Sequence, residues 1–162
     1  MSDDMHGHGM GTIVRTVARW LKGFILLYGI YIVLYGHVTP GGGFAGGVVI
    51  ACAFVLLTLA GGAASAQRLF PRSVASVLDS AGVLLFLALA WSGMWLAGGV
   101  FFNNFIETPQ AGWYTLFSAG TIPLSNIGLG LKVASSLFLA FTVLAAFRML
   151  SSKTGRAEDS EQ

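Results

Sequence analysis

Four apolar runs occupy most of the 162 residues, at about 17–35, 43–64, 78–102 and 124–150. A helix needs about 20 mostly apolar residues to cross a bilayer, and each run reaches that length. Inside lipid every backbone N–H and C=O needs an internal partner, so such runs become helices packed on one another. Only 10% of the residues are charged and 55% are hydrophobic. A soluble domain carries about 25% charged residues, which argues against one. The expected fold is therefore all-α, a polytopic integral membrane protein with four transmembrane helices. Residues 1–14 read as a flexible terminus, 15–150 as the four-helix membrane domain, and 151–162 as a flexible polar tail. The first run is kept as a helix rather than a signal peptide. The acidic start at Asp3 and Asp4 is wrong for a leader, and no clean small-residue cleavage site follows the run.

The charges orient these helices. Arg15, Arg19, Lys22, Arg68, Arg72, Arg148, Lys153 and Arg156 all fall on one side of the four-helix layout. The two connections on the other side contain no Lys or Arg. The positive-inside rule then makes both termini cytoplasmic, N-in and C-in. The first turn and the long connection carrying Glu107 lie outside.

The first turn holds the densest pattern, His37-Val38-Thr39-Pro40-Gly41-Gly42-Gly43-Phe44-Ala45-Gly46-Gly47. Pro40 fixes φ and suits a turn or a helix start. Gly42 and Gly46 are four apart, as are Gly43 and Gly47, the spacing that lets membrane helices touch backbone to backbone. Gly29 and Gly36 share a face of the first helix, as do Tyr28, Tyr31 and Tyr35. Cys52 is the sole cysteine and reads as a small buried apolar residue. His6 and His8, near Met5 and Met10, form a short tract of metal-binding composition. Its place at the terminus favours a frayed end, and no metal site is assigned.

One charge lies well inside a run. Lys132 is expected about 10 Å into the fourth helix from its outer end at 1.5 Å per residue. An ammonium at mid-helix costs about 2.5–3.5 kcal/mol on insertion scales, unless it snorkels outward or finds a partner. Asp79 has capping-box spacing from Ser76 and reads as a carboxylate at the start of the third helix. On that layout Asp79 and Lys132 stand about 20 Å apart, so Lys132 has no partner within the chain. The candidates for an ion path or an intersubunit charge are Lys132, His37, Asp79 and Glu107. No run has an acidic residue at mid-depth, whereas proton carriers relay through several buried ionisable groups. There is no P-loop, no clustered Cys/His site and no nucleophile beside a base. The chain is expected to have no catalytic residue and no cofactor, and to be one component of a larger membrane assembly rather than an enzyme.

The pattern His37-x-x-Pro40-Gly41-Gly42-Gly43-Phe44-x-Gly46-Gly47 resembles the hallmark of the MnhB/MrpB family, the B-type component of Mrp-type multisubunit Na⁺/H⁺ antiporters. The stretch Pro123-Leu124-Ser125-Asn126-Ile127-Gly128-Leu129-Gly130-Leu131-Lys132-Val133 resembles the fourth-helix entrance of one branch of that family. The resemblance covers about 17–150. It implies a non-catalytic membrane subunit that braces or lines an ion path within a hetero-oligomer exchanging Na⁺ for H⁺. It also implies residence in a bacterial or archaeal cell membrane. Many antiporter members of the family carry an acidic residue near the start of the last helix, where this chain has Ser125 and Asn126. Homologous subunits also occur in membrane-bound hydrogenases, so a redox-driven complex is the second expectation. A stand-alone homo-oligomeric transporter is the third, and the missing mid-membrane carboxylate argues against it.

Overall fold

A computed structural model describes residues 11–61, 67, 70–96, 99, 101–102, 104–106 and 119–159, with side chains to 147. It contains four long helices, α1 Thr12–Tyr35, α2 Gly42–Gly61, α3 Arg72–Leu96 and α4 Ile122–Asp159. There is no strand among the described residues. All four are long and apolar enough to cross a membrane, α4 over Ile122–Phe147. Three of the helices depart clearly from the bounds expected from sequence. The helix α1 starts at Thr12 rather than near residue 17, and α3 runs 72–96 rather than 78–102. The backbone of α4 continues helical to Asp159, past Ser151 where a flexible tail was expected. Polar residues 151–159 carry no apolar signal, so hydropathy alone stops too early there. Glu107, Arg68, His6 and His8 lie outside the described residues.

Close glycine contacts fix how the helices run. A Cβ placed on Gly29 would meet Ile50 at 2.7 Å, and one on Gly36 would collide with the Gly42 Cα. Later residues of α1 thus face earlier residues of α2, and the two form a tight antiparallel hairpin. The φ of 78° at Gly42 closes it, a conformation glycine adopts without a Cβ clash. On the other side of α2, a Cβ on Gly43 would collide with the Asn126 carbonyl oxygen, and one on Gly47 would lie 2.8 Å from that of Gly130. Both numbers rise together, so α2 and α4 run parallel. A Cβ on Gly82 would lie 2.7 Å from the Gly128 carbonyl oxygen, while Ala75 packs against Phe138. These pairs run in opposite senses, so α3 is antiparallel to α4. The helix α2 therefore lies between α1 and α4, with α3 on another side of α4.

The alternation puts the starts of α1 and α3 at one end of the bundle. Arg15, Arg19, Lys22 and Arg72 share that end. Near it, Phe54 stacks on Phe70 and both meet Phe138 edge to face, with ring centroids 4.7 to 5.8 Å apart beside the buried Ala75. Hydroxyls elsewhere turn back onto their own helix. Thr58 donates to the Phe54 carbonyl and Thr142 to that of Phe138, which satisfies them without water. Cys52, expected to be buried, is exposed on α2, on a face that neither α1 nor α4 covers. Large apolar side chains cover the outside, Trp91, Trp95, Phe24 and Leu87 among them, as a bilayer requires.

Candidate functional site

The site begins with a register that glycine sets. Gly82 lies so close to α4 that a Cβ there would meet both the Gly128 carbonyl oxygen and the Lys132 backbone nitrogen, the latter at 2.8 Å. The two helices are antiparallel. One turn back along α3, at Asp79, therefore faces one turn forward along α4, at Ser136. Lys132 and Ser136 are i and i+4 and share a face.

The Lys132 Nζ donates to both carboxylate oxygens of Asp79, at 2.6 Å each. Ser136 Oγ donates to Asp79 Oδ1 as well. Lys132 thus has a partner within the chain, which corrects the sequence reading. The error lay in the helix ends. With α3 starting at Arg72, Asp79 is about 10 Å inside the helix rather than at its tip. Neither Ser76 nor Asp79 caps α3, since both sit past its first turn. Lys132 lies about 15 Å into α4 from Ile122 by the same rise. Lys132 is therefore near the middle of its span and Asp79 under a third of the way along α3, and the snorkelling reading of Lys132 gives way to an ion pair.

The pair stands on a flank of the bundle. The Lys132 side chain is 36% exposed and that of Asp79 24%. An ammonium has three N–H donors, and binding two carboxylate oxygens leaves one over. Geometry of this kind can hold two helices in register, and it can pass or repel a cation moving beside it.

The glycine-rich turn is a separate place. Gly43 and Gly47 lie against Asn126, Gly130 and Val133, so the turn motif and the fourth-helix entrance pack directly on each other. Gly46 lies against α1, where a Cβ would meet Val33 at 2.5 Å. Gly41, with φ 146°, sits beside Ile32, and Pro40 is exposed just before α2. Phe44 is 62% exposed and points away from the seams. His37 is half-buried and its ring stacks on Tyr35 at 6.4 Å, while Tyr35 stacks on Tyr31 at 5.3 Å. The structure does not bring His37 to the ion pair. A cleft of ≈ 290 Å³ also opens between α1 and α3, lined by Ile30, Val33, Ile50, Leu78, Ile127 and Leu131 among others. It holds no charged group and suits an acyl chain or an apolar side chain.

Sequence reasoning missed Ser136, Gly82 and Gly128. The i, i+4 spacing of Lys132 and Ser136 was a signal for the first. Gly82 has no other glycine near it in α3 and Gly128 is one of two glycines in the fourth-helix stretch, and only the fold shows that they face each other. Among the described residues, no group of three or more His, Cys, Asp or Glu could hold a metal ion.

These features define a small polytopic membrane protein, with a glycine-packed hairpin and a charged pair held between two of its helices. Residues 13–139 match a family model described as a domain related to the MnhB subunit of Na⁺/H⁺ antiporter. The chain belongs to that family. It is 36% identical to an uncharacterised protein of Methanocaldococcus jannaschii, over 98% of this chain and 63% of that one. It is 35% identical to the B component of the Na⁺/H⁺ antiporter of Bacillus subtilis, over 57% of this chain and 63% of the relative. Among solved structures it resembles a chain of the membrane-bound sulfane sulfur reductase, an archaeal respiratory membrane complex. That match has a TM-score of 0.64 at 32% identity, over 82% of this chain and 56% of the other. The chain thus spans less than two thirds of the length of these relatives.

Proposed function

We propose that this chain is a membrane subunit of a multisubunit cation/proton antiporter-type complex. It braces or lines an ion path and has no catalysis of its own. The observation that carries this reading is the Asp79–Lys132–Ser136 cluster, half-open on the flank of an otherwise apolar bundle. Lipid offers no partner to an exposed charge near mid-span, so another polypeptide or water meets it. Family membership supports the antiporter setting. Sodium is the exchanged cation on this reading, and protons are its counter-ion. The basic end of the bundle faces the cytoplasm, and the complex sits in the cell membrane, with the other antiporter subunits as partners.

A second reading is favoured by one observation. The solved relative belongs to a respiratory complex, which supports a redox-driven assembly as the alternative to a free-standing antiporter. One experiment addresses both. The tagged chain is purified from its own membranes in mild detergent and its partners are identified. Antiporter subunits alone support the first reading; redox subunits in the same particle support the second. A chain that purifies alone overturns both.

A further inference from the structure

Asp79 does not stand alone on its flank of α3. Residues 72, 76, 79 and 83 recur at helical spacing and form one stripe. From the basic end it reads Arg72, Ser76, Asp79 and Val83. The facing stripe of α4, approached from the same end, reads Ala140, Ser136, Lys132 and Leu129. Ser76 and Ala140 are exposed, and Asp79, Ser136 and Lys132 are half-buried. The flank is therefore polar or small from the Arg72 end as far as the ion pair. Beyond the pair, Val83 and Leu129 make it apolar. The remaining N–H of Lys132 needs an acceptor, and the exposed Ser76 and Arg72 form a polar strip that leads from the basic end to it.

We propose that this flank is one wall of a water-filled inlet, open at the Arg72 end and closed just beyond Lys132. The opposite wall is a membrane helix of a partner subunit. The proposal rests on the reading of the chain as one subunit of a complex. Its occupant follows from chemistry: lipid cannot accept the spare ammonium N–H, and water entering from one end can. The inlet makes Lys132 reachable from one side of the membrane only. A lysine held by a carboxylate at the blind end of such an inlet sets the potential that a proton or cation meets there.

The test uses the intact complex in sealed vesicles with Cys52→Ala as background. Cysteines replace Ser76 and Ala140 on the wall, and Val83 and Leu129 beyond the pair. None of the four bonds to Asp79 or Lys132. A charged, membrane-impermeant thiol reagent reacts with thiolate in water and not with a thiol in a dry seam. The expected result is labelling at positions 76 and 140 at least ~10-fold faster than at 83 and 129, and only from the Arg72 side. Slow labelling at all four positions means a dry flank and overturns the inlet. Fast labelling at 83 or 129, or labelling from the other side, means a path open beyond Lys132 and overturns it too. A tagged chain that purifies without partners removes the opposite wall and fails both readings. A dry flank within an intact complex fails the inlet alone.

Discussion

Breaking the Asp79–Lys132 pair from one side should cost more than removing it altogether. Lys132→Met leaves the Asp79 carboxylate about 10 Å inside α3 with Ser136 as its remaining described donor. A charge at the centre of a membrane helix costs about 2.5–3.5 kcal/mol, and an orphaned member of a buried pair about 3–5 kcal/mol. The exposures of 36% and 24% place this pair toward the lower end of those ranges. We predict about 2–3 kcal/mol of destabilisation for Lys132→Met, and a similar loss for Asp79→Asn. The double variant removes both charges, and the Asn can still accept from Ser136. It should return to within about 1 kcal/mol of the parent, a coupling of at least about 3 kcal/mol between the sites. Such a coupling is a factor of roughly 150 in an equilibrium. The assay heats purified complexes and measures the fraction of this subunit still bound, for the parent, both single variants and the double variant. If the double loses the sum of the two single losses, the residues do not act as a pair and the reasoning is refuted.

Two further predictions follow from the packing and the charges. Gly43→Leu and Gly47→Leu should release the subunit from the complex more readily than Ala45→Leu. Even a Cβ at the two glycines would overlap α4, and overpacking of this kind costs about 1–3 kcal/mol or more; equal retention of all three would show that the glycines serve only the turn. For orientation, a cysteine at Val38, exposed in the α1–α2 turn, should react with an impermeant reagent added outside intact cells, and one at Ser73 should not. The reverse pattern would invert the topology.

The four spans are legible because length and hydropathy suffice to identify a bilayer helix. The glycine spacing is legible as a packing pattern. That Gly43 and Gly47 meet α4 while Gly46 meets α1 is not, because a residue spacing names a face and not its neighbour. The ion pair was hidden for a quantitative reason. Ser73, Ser76 and Asp79 make 72–79 look like a polar approach to a helix, so hydropathy starts α3 near residue 78 instead of Arg72. That shift of under two turns places Asp79 at a helix tip and Lys132 out of reach. Register between the two helices is set by Gly82 against Gly128, a contact between positions 46 residues apart. No local pattern reports it.

Under the proposed function, the Asp79–Lys132 element belongs to the ion path and does more than brace two helices. The double variant Asp79→Asn/Lys132→Met separates these roles, because it keeps the helices together while removing both charges. Cation-dependent proton flux should be measured in everted membrane vesicles, with subunit retention measured on the same preparation. The expected result is a complex assembled to the parent level whose flux is strongly reduced, with Lys132→Arg keeping more activity than Lys132→Ala because the charge remains. Parent-level flux from a fully assembled double variant would leave the pair a structural clasp with no part in transport.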